Sequence, residues 1–226
     1  MHLLYLAIDI LTMLLPFIFS FHPKIRFYRE WSCYLPATLL VSFLFIAWDY
    51  IFTSQGIWHF NSRYIIGHYL FNLPVEEILF FISIPFACVF TYYCLNKFFD
   101  LSWNNKIETI FCLTLAALLL VTGLNHLDRT YTSVTFISTA LLCLLAKFIL
   151  QINWFGELIT VYAILLLPFL IVNGVLTGTG IEEPVVIYNN SKTLQLRFLT
   201  IPVEDIFYGF ELVLLNLLVY LSFRKK

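Results

Sequence analysis

Seven apolar stretches set what this chain can become. They fall at roughly 3–21, 33–53, 76–95, 108–124, 133–150, 158–176 and 204–222, each about 17–21 residues long, the length an α-helix needs to cross a bilayer. A water-soluble core has no use for so much apolar sequence: 61% of the residues are hydrophobic and only 12% are charged. The expected fold is an all-α integral membrane protein with seven transmembrane helices. Met1-His2 carries no basic region and no small-residue cleavage site follows the first run, so that run is expected to be a retained span rather than a signal peptide.

The basic residues suggest an orientation. With alternating helices, Lys24, Arg26, Arg29, Lys97, Lys106, Lys147, Arg224, Lys225 and Lys226 fall on one side, and Arg63, Arg129, Lys192 and Arg197 on the other. The richer side is expected in the cytoplasm, which puts the N-terminus outside and the C-terminus inside a bacterial inner membrane. The net charge of −1 says nothing about partners, and the thirteen basic residues form no patch beyond short clusters at loop ends, so nothing points to nucleic acid.

A short acidic tetrad occurs twice. Pro74-Val75-Glu76-Glu77 opens the third apolar run, and Pro202-Val203-Glu204-Asp205 opens the seventh. Proline is tolerated at the first position of a helix, so both tetrads read as helix starts with two carboxylates in the first turn. The repeat reaches further. Trp48-Asp49 and Asn173-Gly174 close the preceding runs, with Asp49 aligned to Asn173 and Gly56 to Gly180. The expected organisation is a 3+1+3 parallel repeat: residues 1–98 as one three-helix unit, 99–130 as a linking helix, and 131–226 as the second unit. Sites in such folds form between the repeats.

Acids at a membrane edge are costly and usually functional. Asp49, Glu76, Glu77, Asn173, Glu204 and Asp205 are therefore the candidate site, with Arg63 and Arg197 on the connecting loops. Neighbouring residues on a helix point about 100° apart, so only one acid of each tetrad can face straight into a shared cavity. Glu76 and Glu204 are the expected inward pair, with Glu77 and Asp205 facing a neighbouring helix or the headgroups. Two carboxyl groups in different environments form an acid–base pair. Phe80, Phe81, Phe207 and Tyr208 lie just inside the tetrads, where aromatic faces can stabilise a passing cation; packing and lipid contact are the plainer use of such residues. Trp31, Trp58, Trp103 and Trp154 fit an interfacial belt.

Other chemistry is poorly supported. The five cysteines lie in or beside apolar runs with no metal-type pairing and read as small buried hydrophobes. No histidine pattern suggests a metal. Gly178-Thr179-Gly180 lacks the surroundings of a dinucleotide site, and no Asp-rich diphosphate motif occurs. No cofactor is expected.

The duplicated Pro-x-Glu-[Glu/Asp] tetrads, in register with Trp48-Asp49 and Asn173-Gly174 and set in a seven-helix layout, resemble the small transmembrane lycopene cyclases. That family occurs as two separate short subunits or as one fused chain; the phytoene synthase domain of the fused fungal forms has no counterpart in these residues. The resemblance implies an isomerisation without net redox change, an intramolecular lyase or isomerase activity of carotenoid biosynthesis that closes the acyclic ends of lycopene into β-ionone rings. It implies a long polyene substrate taken from the bilayer, no cofactor, and other carotenoid-pathway enzymes as partners. It also implies proton-transfer roles for Glu76, Glu77, Glu204 and Asp205, with Glu76 or Glu204 the leading donors and Asp49 and Asn173 orienting them. One site at the interface of the halves is expected.

Three other classes compete. A SWEET-like transporter shares the 3+1+3 layout but needs polar residues near the membrane midplane, whereas polarity here gathers at one end. A membrane terpene cyclase acting on an epoxidised meroterpenoid would use similar acids. A seven-helix retinal protein is disfavoured because the last helix has no lysine for a Schiff base.

Overall fold

The computed structural model describes residues 2–224; Lys225 and Lys226, counted above for orientation, lie outside them. Seven helices carry the described residues: α1 (Leu4–Ser20), α2 (Trp31–Ser54), α3 (Val75–Phe98), α4 (Asn105–Asn125), α5 (Thr130–Leu144), α6 (Phe155–Leu176) and α7 (Val203–Arg224). A wider π-type turn, Leu145–Ile149, prolongs α5. Each helix coincides with one apolar run. Taking α5 together with that turn, Thr130–Ile149, all but α1 are long and apolar enough to cross a membrane; α1, 17 residues long, is apolar but shorter. Leu11, Leu39, Phe43, Leu167 and Ile171 are exposed on these helices, as expected where the solvent is lipid. The chain is an all-α integral membrane protein.

The two halves pack alike. α1 lies on α3 as α5 lies on α7; α2 meets α3 as α6 meets α7; α2 crosses to α7 as α6 crosses to α3. Six short strands complete the pattern. β2 (Tyr69–Leu70) and β3 (Leu73–Pro74) form a hairpin that leads into α3, and β5 (Arg197–Phe198) and β6 (Ile201–Pro202) form its counterpart leading into α7. Both hairpins turn on a left-handed residue at the same place, Phe71 (φ 57°) and Leu199 (φ 55°). Gly56 and Gly180, aligned in the sequence, share positive φ angles of 66° and 79° after α2 and α6, a conformation open to glycine because it has no Cβ.

One ribbon joins the halves. β1 (Trp58–Phe60) pairs antiparallel with β4 (Val186–Tyr188), with Trp58 opposite Tyr188 and Phe60 opposite Val186. These are the segments that follow α2 and α6, so each half contributes the same piece of chain.

α4 packs along α5, fastened by a buried ion pair between Glu108 and Lys147. Lys147 also donates to Asn105 Oδ1 (2.9 Å), and the Gly156 N–H donates to Glu108 Oε1 (2.9 Å). The start of α6 is thereby tied to the same clasp. Gly156 lies against the Trp103 ring, and a Cβ there would collide with it. Gly156→Ala is expected to cost about 1–3 kcal/mol through overpacking, read as a lower thermal midpoint of the detergent-solubilised protein.

Candidate active site

The hairpins explain why the acids stand where they do. Pro74 is the last residue of β3 and caps α3 in an extended conformation (φ −64°, ψ 150°). It sits one position before the helix, not on its first residue. The first free N–H groups then turn back to the hairpins: Val75 donates to the His68 carbonyl and Val203 to the Leu196 carbonyl, each at 3.0 Å. The first acid of each tetrad completes the tie. Glu76 Oε1 accepts from the Ile66 N–H and Glu204 Oε1 from the Leu194 N–H, both at 2.6 Å, and Thr132 Oγ1 also donates to Glu204. Both residues are 0% exposed.

The second acids, about 100° further round, open on a cleft. Glu77 and Asp205 line it together with Asp49 and Asn173. This reverses the expected facing: Glu76 and Glu204 point into the hairpin loops, and Glu77 and Asp205 point inward. The reason is that the loop amides stand on the side of the helix start away from the cleft and need an acceptor there. The cleft has a volume of about 1020 Å³ when the space out to its open side is counted. It runs down α3, α6 and α7 between mainly apolar walls.

Donors to the carboxyl groups are unevenly shared. Asp205 accepts three hydrogen bonds, from Tyr131 OH (2.6 Å), Asn173 Nδ2 (2.8 Å) and Tyr188 OH (2.9 Å). Glu77 accepts one, from Tyr5 OH (2.5 Å), and Asp49 one, from Trp58 Nε1 (2.6 Å). The second oxygen of Asp49 is buried without a partner. Burial, and then the charge of Asp205, push the Tyr188 phenol well above its ordinary pKa, so it stays a donor at neutral pH.

Aromatic rings close round these groups. Trp58 and Tyr131 meet edge to face at 5.1 Å, Tyr131 stacks with Tyr188 at 5.9 Å, and Tyr208 stands 5.4 Å from Trp48. Phe80 and Tyr208 line the cleft. Phe81 lies behind them in the core, and Phe207 packs on Phe136 at 5.0 Å; neither reaches the cleft. Arg63 stands at the surface, its side chain 44% exposed, paired with Glu182 at 2.5 Å. Arg197 donates to the Thr200 carbonyl (2.6 Å) at the surface. Because exposed pairs contribute little, Arg63→Ala is expected to cost no more than about 1 kcal/mol of stability, measured as the thermal midpoint of the detergent-solubilised protein.

Several residues at the site carry no mark in the sequence reading. Tyr5 and Tyr131 are matching positions of the repeat, and their shared identity was the available signal. Trp58, expected in an interfacial belt, holds Asp49 instead. Asp9 lies one turn along α1 from Tyr5, 1% exposed, with neither oxygen bonded among the described residues. Glu211 is buried in α7, held by Ser138 and Thr139 of α5 at 2.8 and 3.1 Å. No cluster of three or more His, Cys, Asp or Glu residues suited to a metal ion occurs among the described residues.

Fold and site together define a class: a helical membrane protein of two like halves, whose carboxyl groups meet in one shared cleft. Both halves also match one family model, described as lycopene cyclase, over residues 2–95 and 128–223. The chain belongs to the lycopene cyclase family, in the form that carries two repeats in one polypeptide. Comparison with curated proteins and with solved structures returned no match.

Proposed function

We propose that the chain is a carotenoid cyclase that converts the acyclic ends of lycopene into β-ionone rings, with Glu77 and Asp205 as the proton-transferring pair. The observation that carries this reading is the cleft itself: two acids from equivalent positions of the repeat line one apolar space walled with aromatic rings. The family supplies the substrate class.

Donor supply distinguishes the two acids. An ionised carboxylate is acceptor-only, and Asp205, with three donors, is furnished for that state. Glu77 has a single donor and keeps Oε1 free of bonds to the described residues, the arrangement of an acid that hands over a proton. Glu77, with Asp49 beside it, is proposed as the donor and Asp205 as the acceptor. Asn173 orients Asp205, while Glu76 and Glu204 fasten the hairpins.

The chemistry then balances without a redox partner. Glu77 protonates the terminal alkene of the polyene, leaving a tertiary cation. The π electrons of the nearby double bond form the new ring bond to that carbon and move the cation into the ring. Asp205 removes the adjacent ring proton, and the C–H electrons become the ring double bond. One proton enters and one leaves. The rings of Trp58, Tyr208 and Phe80 face the cation, an interaction worth about 2 kcal/mol or more where water is excluded.

The proposed setting is seven spans in a 3+1+3 arrangement, N-terminus outside and C-terminus in the cytoplasm of a bacterial inner membrane, with the site near the outer boundary. The proposed units are residues 1–98, 99–130 and 131–226. Expression in a bacterium that accumulates lycopene tests the function. Red extracts turning orange-yellow, with cyclic ends on chromatography, support the reading; unchanged lycopene at good expression counts against it.

A further inference from the structure

We infer that the cleft takes one end of its polyene at a time, from the lipid side between α1 and α6, so that the two ends of a molecule are cyclised in separate visits. The inference rests on the cyclase reading above and concerns how that site is loaded.

The halves are alike at the acids and unlike below them. In the half where α2 meets α7, the space beneath the acids is filled. Val41 and Phe45 of α2 pack with Phe81 and Leu212 into one buried cluster, with Tyr208 and Leu215 against it. Trp48 stacks on Phe45 at 5.8 Å. Where α6 meets α3, the matching space is the cleft. The sequence repeat shows why. The fillers Trp48, Phe81 and Leu215 correspond to Val172, Gly209 and Ala87, and all three of these smaller residues line the cleft. Two equivalent acids therefore share a single chamber.

The open side is lateral. Thr12 of α1 and Pro168 and Phe169 of α6 line the cleft while being half-buried or exposed. α1 and α6 are not among the closely packed helix pairs of the described residues. Exposed apolar residues flank this side, including Leu11, Leu15, Leu167 and Ile171. A lipid-dissolved polyene thus meets the cleft from within the bilayer. Along α3 the lining runs from Glu77 to Cys88, about 16 Å at the helical rise per residue. That is roughly half the hydrocarbon thickness of a bilayer. One end of a long polyene reaches the acids, and the rest of the chain stays in the lipid opening. With the mirror chamber filled, the second end has no acid to meet until the molecule leaves and returns reversed.

The test uses the full chain in liposomes loaded with lycopene. A pulse of labelled lycopene is chased with an excess of unlabelled lycopene, and free products are followed by chromatography. Labelled product with a single ring, appearing free before the two-ringed product or alone, is the expected result. Two-ringed product from the first turnovers, with no free single-ringed product, would overturn the inference. Two variants copy the filled half: Ala87→Leu and Val172→Trp are each expected to lower conversion by at least about tenfold. Leu118→Trp adds bulk on the lipid face of α4, away from the cleft, and is expected to match the parent. Should one cleft variant fail to accumulate in the membrane, the other and the pulse–chase still decide. Parent-like conversion in a well-expressed cleft variant would also overturn the inference. Absence of any cyclic product from the parent would instead count against the cyclase reading.

Discussion

Glu77→Gln is expected to lower conversion by about 10²–10⁴-fold, the usual contribution of a positioned acid or base. The amide keeps the size of the side chain and an oxygen for the Tyr5 hydroxyl, so packing is preserved. What it lacks is a proton to give to an alkene. Asp205→Asn should fall in the same range, because the amide cannot accept the ring proton and its single oxygen serves either Tyr131 or the Tyr188 and Asn173 side, not both. Glu76→Gln discriminates between the two acids of the tetrad. Its amide oxygen can still accept from the Ile66 N–H, so the loss should stay within about tenfold, the worth of roughly one hydrogen bond. The measurement is initial conversion of lycopene in liposomes at matched protein content. If Glu76→Gln were the inactive variant and Glu77→Gln the active one, the donor role would pass to Glu76 and the proposed assignment would fail.

Lys147→Met should produce the largest loss of stability. The Lys147 and Glu108 side chains are only 5% and 2% exposed. Removing one member of a buried pair strands the other charge, at a cost of about 3–5 kcal/mol. The effect should appear as a marked drop in the thermal midpoint of the solubilised protein, and as poor accumulation in the membrane. Glu108→Leu combined with Lys147→Met should recover much of it, since well-packed apolar replacements of a buried pair are often neutral or better. The Gly156 N–H loses its acceptor in that double variant, so recovery should be incomplete. A single variant as stable as the parent would mean that the pair does not fasten α4 to α5.

The helices were readable because a bilayer imposes length and polarity on whatever crosses it; each apolar run became one helix, displaced by a few residues at its ends. The tetrads were readable as helix starts, and the alignment of Asp49 with Asn173 placed both residues in the cleft. Facing was not readable. A rotation of about 100° per residue separates Glu76 from Glu77, but it does not say which of them looks inward until the loop amides at Ile66 and Leu194, just ahead of the hairpins, are in place. Two donors to Asp205 were hidden for a related reason: Tyr131 and Tyr188 come from separate elements, whereas Asn173, the third, stood among the candidates. Glu108 and Lys147 are 39 residues apart, and only the packing of α4 on α5 brings them together. The contrast between Trp48 and Val172, or between Phe81 and Gly209, was present in the repeat. It gains meaning only once one chamber is seen filled and the other hollow.

The ribbon of β1 and β4 bears on how such a protein can be divided. A break in the connection between α3 and α4 would leave each fragment with an unpaired strand edge, Trp58–Phe60 on one and Val186–Tyr188 on the other. Those edges are complementary, and their aromatic rings meet across the divide, Trp58 of one fragment against Tyr131 and Tyr188 of the other. Glu77 and Asp205, which line one cleft, would then lie on different pieces, yet each piece would carry the template for recruiting its counterpart. Splitting the gene would therefore turn an internal fold contact into an obligate subunit interface without inventing any new surface.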